Sequence, residues 1–111
     1  MSALVNKHCR LGKTDKGPLG QAMISNLMEQ LDGWELSDQS ITRTYRFNDY
    51  YQTISFVNAI AWIAHTEDHH PQLTVSYNSC KVEYSTHAAN GLTENDFICA
   101  SKVDAVFGST T

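Results

Sequence analysis

Two kinds of periodicity alternate along the chain, and this alternation constrains the fold more than any other feature of the sequence. Three segments repeat their apolar residues at helical spacing, and between them lie two pairs of segments that alternate apolar and polar residues. Each pair is joined by a short polar turn, as an antiparallel hairpin with one buried face requires. The sequence therefore predicts the element order α-β-β-α-β-β-α.

The three predicted helices have recognisable start and stop signals. The first begins with Pro18 in its first turn and ends at Asp32-Gly33. The second follows the cap Asn48-Asp49 and ends before Pro71. The third follows Thr93-Glu94-Asn95-Asp96, which has the form of a capping box.

The second helix is predicted to bury an apolar stripe at positions i, i+4, i+7, i+11 and i+14. The stripe consists of Tyr50, Ile54, Val57, Ala61 and Ala64. Because a residue before proline is disfavoured in a helix, His70 is predicted to lie just past the helix and His69 on its last turn.

The predicted strands are residues 34–36 paired with 41–47, and residues 73–77 paired with 80–86. Two hairpins among three helices predict an α+β fold, a four-stranded antiparallel sheet with three helices packed on one face. The other face must then carry polar residues or meet a partner. Residues 18–111 form one predicted domain, and residues 1–17, which show no sustained period, are predicted to be a flexible, solvated arm.

Composition excludes several classes of protein. With 41% hydrophobic residues, disorder is not expected. A net charge of -4 argues against direct nucleic-acid binding. No apolar run is long enough for a signal peptide or a membrane span, so a soluble, cytoplasmic protein is predicted. The three cysteines lack a C-x-x-C pair, which argues against a disulfide framework or a cysteine zinc site and favours a reducing compartment.

Four of the five histidines, His65, His69, His70 and His87, fall within 23 residues. The i, i+4 spacing of His65 and His69 would place both rings on one helical face, which is also a zinc-ligand spacing. However, the intervening glutamate is third rather than second, unlike the H-E-x-x-H pattern. General acid/base chemistry without a metal, and histidines with no shared task, are the other open interpretations.

The cluster lies within a set of spaced motifs: His69-His70-Pro71, Tyr77 six positions after the proline, Ser85-Thr86-His87, and Gly91-Leu92-Thr93 leading to Asp96. Matching positions begin at Gly33-Trp34, continue through Phe47-x-Asp49-Tyr50 and Phe56, and run to Ala100. In these motifs the chain resembles the pterin-4a-carbinolamine dehydratases.

The resemblance implies a cofactor-free and metal-free hydro-lyase. It would dehydrate 4a-hydroxytetrahydropterin (as in 4a-hydroxytetrahydrobiopterin dehydratase) to quinonoid dihydropterin in tetrahydropterin recycling. The implied catalytic residues are His69, His70 and His87, with His70 as the base at N5 and the other two acting on the 4a-hydroxyl. Which of those two is the acid stays open. The implied substrate-binding residues are His65, Asp68, Ser85, Thr86 and Asp96.

Two positions carry a second interpretation. The family often has glutamate at the position of His65, so this chain replaces a fixed negative charge there. Two outcomes are open: a lower proton affinity of the neighbouring histidines, or weaker pterin binding. Asp96 is explained equally well as the helix-capping carboxylate of Thr93-x-x-Asp96.

The resemblance also implies a homodimer or homotetramer with a small-molecule pterin substrate and no membrane partner. A non-catalytic role is the alternative function, because some members of the family serve as dimerisation partners of a homeodomain transcription factor. A helper role for a pterin-dependent enzyme is a third reading, and retained pterin binding without turnover would distinguish it.

Overall fold

The computed structural model describes residues 4–9 and 18–110, with elements in the predicted order. The helices are α1 (Gln21–Met28), α2 (Tyr50–Glu67) and α3 (Glu94–Thr110). The strands are β1 (Glu35–Ser37), β2 (Ser40–Arg46), β3 (Gln72–Val75) and β4 (Ser79–Tyr84). Short 3-10 helices span Leu4–Asn6 and His87–Ala89. None of the helices in these described ranges combines the length and apolar character needed to cross a bilayer.

The four strands form one antiparallel sheet in the order β1-β2-β4-β3, which confirms the predicted fold class. Ile41 lies opposite Tyr84 and Tyr45 opposite Cys80, and all four side chains are buried against the helices. The alternate positions of β2 and β4 are polar, so polar side chains cover the other face. The predicted strands are slightly too long, since β4 ends before residue 86.

The first helix starts at Gln21, later than predicted, because Pro18 and Leu19 contact the segment before α3 instead of forming the first turn of α1. The backbone N–H of Leu19 donates to the carbonyl of Leu92 across 2.8 Å. Pro18 lies so close to Gly91 that a Cβ on this glycine would be 2.8 Å from the proline Cβ. Pro18 and Leu19 therefore fasten the chain to the segment before α3, and Gly20 caps α1.

The predicted cap of α2 is confirmed, since the Asp49 side chain accepts from the backbone N–H of Gln52. The predicted buried stripe is wrong by one residue, which is about 100° around a helix. The inward face consists of Thr53, Phe56, Ile60, Ile63 and Glu67. Two of these positions are polar, and apolar periodicity alone does not assign polar residues to a core.

The predicted end of α2 is also wrong, because the helix stops at Glu67. Asp68 follows in the left-handed conformation (φ 53°), and the N–H of His69 then bonds to the carbonyl of Ala64. A residue in the left-handed conformation commonly ends a helix. Here Asp68 ends α2 three residues before Pro71. His69 and His70 therefore both lie beyond the helix.

Residues 4–9 lie against α3 instead of in solvent. Leu4 is 1% exposed, and the Lys102 ammonium donates to the carbonyl of Val5 across 2.8 Å. Lys7 forms a 2.8 Å ion pair with Glu94. The expectation of a solvated arm does not hold for these residues, and the rest of the predicted arm lies outside the described residues.

Candidate active site

His69 is held by a hydrogen bond and by ring packing. Its Nε2 lies 2.7 Å from Oδ1 of Asp96, and its ring stacks on Tyr84 at a centroid distance of 5.8 Å and an angle of 9°. The side chain is 13% exposed. Because an ionised carboxylate only accepts hydrogen bonds, Nε2 carries the hydrogen and Nδ1 is left to exchange a proton.

Asp96 links α3 to the histidine turn. Its side chain is fully buried, and its second oxygen accepts from the Thr86 hydroxyl at 2.8 Å and from the Thr93 N–H at 2.9 Å. The second of these bonds confirms the predicted capping role. Asp96 thus caps α3 and orients His69 at once, and it is fully buried.

A short loop after β4 positions His87. The N–H of Thr86 donates to the carbonyl of Gly91 at 3.0 Å, and the N–H of Gly91 donates back at 3.3 Å. This bridge closes the loop around the 3-10 helix that carries His87. Thr86 itself is buried, with its hydroxyl 2.9 Å from that of Thr93. The loop therefore presents His87 to solvent and keeps Thr86 beneath it.

Two of the predicted catalytic histidines, His70 and His87, line the same cavity of about 290 Å³. Its lining residues are His70, Pro71, Gln72, Glu83, Ser85 and His87. Sequence analysis singled out neither Gln72 nor Glu83, which lie opposite each other in the β3–β4 register. The alternation of β4 carried a partial signal, since Glu83 lies on the opposite face of the strand from the buried Tyr84.

His70 is exposed, and its Nδ1 lies 3.4 Å from the carbonyl oxygen of Pro71. A carbonyl oxygen only accepts, so this contact favours a hydrogen on Nδ1 and a free lone pair on Nε2. In that tautomer Nε2 of His70 can accept a hydrogen bond.

A second, more open depression of about 270 Å³ adjoins the histidine cavity and shares Glu83 and Ser85 with it. Its other lining residues are Ser37, Asp38, Gln39 and Ser40, from the β1–β2 turn. A larger cavity of about 420 Å³ is lined by residues between Arg46 and Phe56 and contains no histidine. Because it contains two imidazoles, the cavity of about 290 Å³ is the candidate site.

Five predicted site residues lie outside the residues that line this cavity: His65, Asp68, His69, Thr86 and Asp96. His65 is on the last turn of α2, with its ring 6.1 Å from that of the exposed Trp62. The prediction that His65 and His69 share a helical face is wrong, because the helix ends between them. Among the described residues, no three His, Cys, Asp or Glu side chains are grouped so that they would hold a metal ion.

The ring of Tyr84 packs against the ring of His69. The tyrosine is fully buried, and burial raises its pKa well above the usual range. Within the described part of the chain its hydroxyl has no hydrogen-bond partner. The ring, rather than the hydroxyl, is what supports the histidine.

The family model for "Pterin 4 alpha carbinolamine dehydratase" matches residues 17–106. A protein of Nitrosospira multiformis, provisionally named pterin-4-alpha-carbinolamine dehydratase, is 54% identical over 104 residues, covering 94% of this chain and 92% of its own. A protein of Xanthomonas campestris pv. campestris with the same provisional name is 54% identical over 106 residues, covering 94% of this chain and 90% of its own.

Two solved structures are similar. A Brucella melitensis protein described as a transcriptional coactivator/pterin dehydratase superposes with a TM-score of 0.78 at 34% identity, covering 81% of this chain and 98% of that one. A pterin dehydratase-like RuBisCO assembly factor of the alpha-carboxysome gives a TM-score of 0.60 at 22% identity, covering 69% and 92%. The second likeness concerns the fold alone.

Proposed function

Because this chain belongs to the pterin-4a-carbinolamine dehydratase family, we propose that it converts 4a-hydroxytetrahydropterin to quinonoid dihydropterin and water. One observation carries the proposal: two imidazoles from different elements, His70 and His87, line the same cavity. Neutral and protonated imidazole coexist near neutral pH, so such a pair supplies both a proton acceptor and a proton donor.

The reaction needs two proton transfers. The 4a-hydroxyl leaves as water after its oxygen gains a proton, and the electron pair for the new C4a–N5 double bond is released when N5 loses its proton. His70, with its free Nε2 lone pair, is the proposed base at N5. His87 lines the cavity with His70, which favours it as the proton donor to the leaving oxygen. His69, held by Asp96, is proposed to hydrogen-bond the same hydroxyl.

The polar residues of the cavity suit the amide and amino edge of a pterin. The carboxylate of Glu83 accepts hydrogen bonds, and the hydroxyl of Ser85 both donates and accepts them. We assign these two residues to the pterin ring, whereas His65 and Asp68 lie outside the cavity lining. Thr86 and Asp96 are buried behind the histidines and support the substrate through them.

A stopped-flow assay on freshly generated 4a-hydroxytetrahydropterin tests the function. Turnover is expected in the unmodified chain, with a loss of about a hundredfold or more in His70→Ala and in His87→Ala. Treatment with a strong chelator is expected to leave the rate unchanged. Tight pterin binding without turnover would contradict the proposal and favour the helper role. Absence of both pterin binding and turnover would favour the role of a dimerisation partner.

The exposed aromatic residues support self-association. Tyr51 is 81% exposed and Trp62 is 69% exposed, and they lie 11 residues apart on the outer face of α2. Tyrosine and tryptophan are enriched at protein interfaces. We propose that a second copy of this chain covers this face, giving a homodimer or homotetramer in the cytoplasm. Sedimentation of the chain as a monomer at tens of micromolar would contradict this assignment.

A further inference from the structure

A buried carboxylate fastens the amino-terminal segment, residues 4–9, to the end of α2. Glu67 accepts from the backbone N–H of Cys9 at 2.7 Å and from Nδ1 of His8 at 2.9 Å. Its side chain is 3% exposed, and the ammonium of Lys102 lies 3.9 Å away. These contacts place Cys9 at a defined point beside α3.

Cys9 faces a second thiol at that point. Its Sγ lies 3.5 Å from Sγ of Cys99 and 3.7 Å from the carbonyl oxygen of Asn95, one helical turn earlier on α3. Cys99 is fully buried, whereas Cys9 is partly accessible. Cys80, the third cysteine, is buried in the sheet opposite Tyr45.

We propose that Cys9 and Cys99 form a redox-active pair whose disulfide locks the amino-terminal segment onto α3. A disulfide needs an S–S distance of about 2.05 Å, so the two sulfurs must approach by roughly 1.5 Å. Glu67 holds the backbone of Cys9 at this point, and the two sulfurs are already 3.5 Å apart. The proposal is independent of the pterin reaction.

The chemistry balances with a peroxide as the oxidant. The Cys9 thiol, the more accessible partner, loses its proton, and the thiolate attacks a peroxide oxygen and becomes a sulfenic acid. The hydroxide that this step expels takes up the released proton and leaves as one water. The Cys99 thiol then attacks the sulfenic sulfur, forms the S–S bond and gives its proton to the departing hydroxide, which leaves as a second water. Two thiols are oxidised by two electrons and one hydrogen peroxide is reduced to two waters.

The order of the two steps follows from the environment of each sulfur. A hydrogen bond with Cys9 and burial raise the pKa of the Cys99 thiol, so it is a poor first nucleophile toward an external oxidant. In the second step Cys99 does not have to reach solvent, because Sγ of Cys9 already lies 3.5 Å from its own sulfur.

The pair lies directly behind the histidine turn. Sγ of Cys99 is 4.0 Å from the carbonyl oxygen of His69, and Glu67, which holds Cys9, lies two residues before that histidine. A disulfide between Cys9 and Cys99 would therefore connect the amino-terminal segment to α3 next to the histidine turn, in addition to its hydrogen bond with Glu67. We expect slower amide exchange in residues 4–9 and at His69 after oxidation.

The test is oxidation of the full-length chain with hydrogen peroxide, followed by thiol counting and peptide mapping by mass spectrometry. The free thiols are expected to fall from three to one, with a single crosslink between Cys9 and Cys99 and with Cys80 unmodified. The crosslink closes a long loop, so the thermal midpoint is expected to rise by at least about 5 °C and to return with dithiothreitol.

Matched variants make the outcome specific. Cys9→Ser alters a partly exposed side chain and is expected to abolish the crosslink and the rise in midpoint, and Cys80→Ala is expected to retain both. A crosslink between two chains, a crosslink that includes Cys80, or three unchanged thiols would overturn the proposal.

Discussion

Nε2 of His69 donates to Oδ1 of Asp96 across 2.7 Å, and this hydrogen bond joins the turn after α2 to the first turn of α3. The carboxylate is fully buried and also receives bonds from Thr86 and Thr93. Hydrogen bonds to an ionised carboxylate are about twice as strong as neutral ones. A fully buried carboxylate therefore sets the direction and the tautomer of the histidine.

Asp96→Asn is predicted to reduce turnover by about tenfold to a hundredfold, because an amide holds His69 less firmly and no longer enforces one tautomer. The matched control is Asp104→Asn, which removes another α3 carboxylate, one bound by Trp34 and Arg43. That variant should lose stability and keep turnover. Unchanged turnover in Asp96→Asn would contradict the positioning role.

The amino-terminal segment is predicted to detach in acid. Burial alone would raise the pKa of Glu67, but hydrogen bonds from Cys9 and His8 and the charge of Lys102 outweigh it and hold the pKa below its ordinary value. A lowered carboxyl pKa stabilises the folded state above the unfolded pKa of about 4.3, and this contribution is lost as the pH falls through the folded pKa.

Hydrogen exchange of the Cys9 amide measures this detachment. Protection should be complete at neutral pH and should fall progressively below about pH 4.3. In Glu67→Gln protection should be weaker at neutral pH and should no longer change across this range. Equal protection of the unmodified chain from pH 6 to pH 3 would argue against the role of Glu67.

The sequence predicts the order of elements well because periodicity is a local signal. The buried face of α2 is not predictable in the same way. The hydroxyl of the buried Thr53 donates to the carbonyl of Tyr77 at 3.0 Å. The carboxylate of the buried Glu67 accepts from the backbone N–H of Cys9. Both contacts join residues that are distant in the chain. The pairing of Gln72 with Glu83 likewise depends on cross-strand register, which no motif in the sequence specifies.

Tyr84→Phe is predicted to be neutral or to stabilise the protein by about 1 kcal/mol, because the buried hydroxyl has no partner among the described residues and its desolvation is uncompensated. Phenylalanine keeps the ring that packs on His69. Turnover should stay within about twofold, whereas Tyr84→Leu, which removes the aromatic ring, should lower both stability and turnover. Chemical denaturation and the stopped-flow rate measure the two effects. A large loss of stability in Tyr84→Phe would reveal a partner for the hydroxyl.

His65 and His70 are predicted to differ sharply in their effect on turnover. His70 lines the cavity and is the proposed base, so His70→Ala should cost about a hundredfold or more. His65 packs beside Trp62 on the outer side of α2, so His65→Ala should cost no more than a few-fold. His65→Glu should likewise keep turnover within a few-fold, because residue 65 lies outside the residues that line the cavity. Pterin affinity measured in parallel separates binding from turnover. If His65→Ala were as inactive as His70→Ala with binding intact, His65 would belong among the groups that transfer protons.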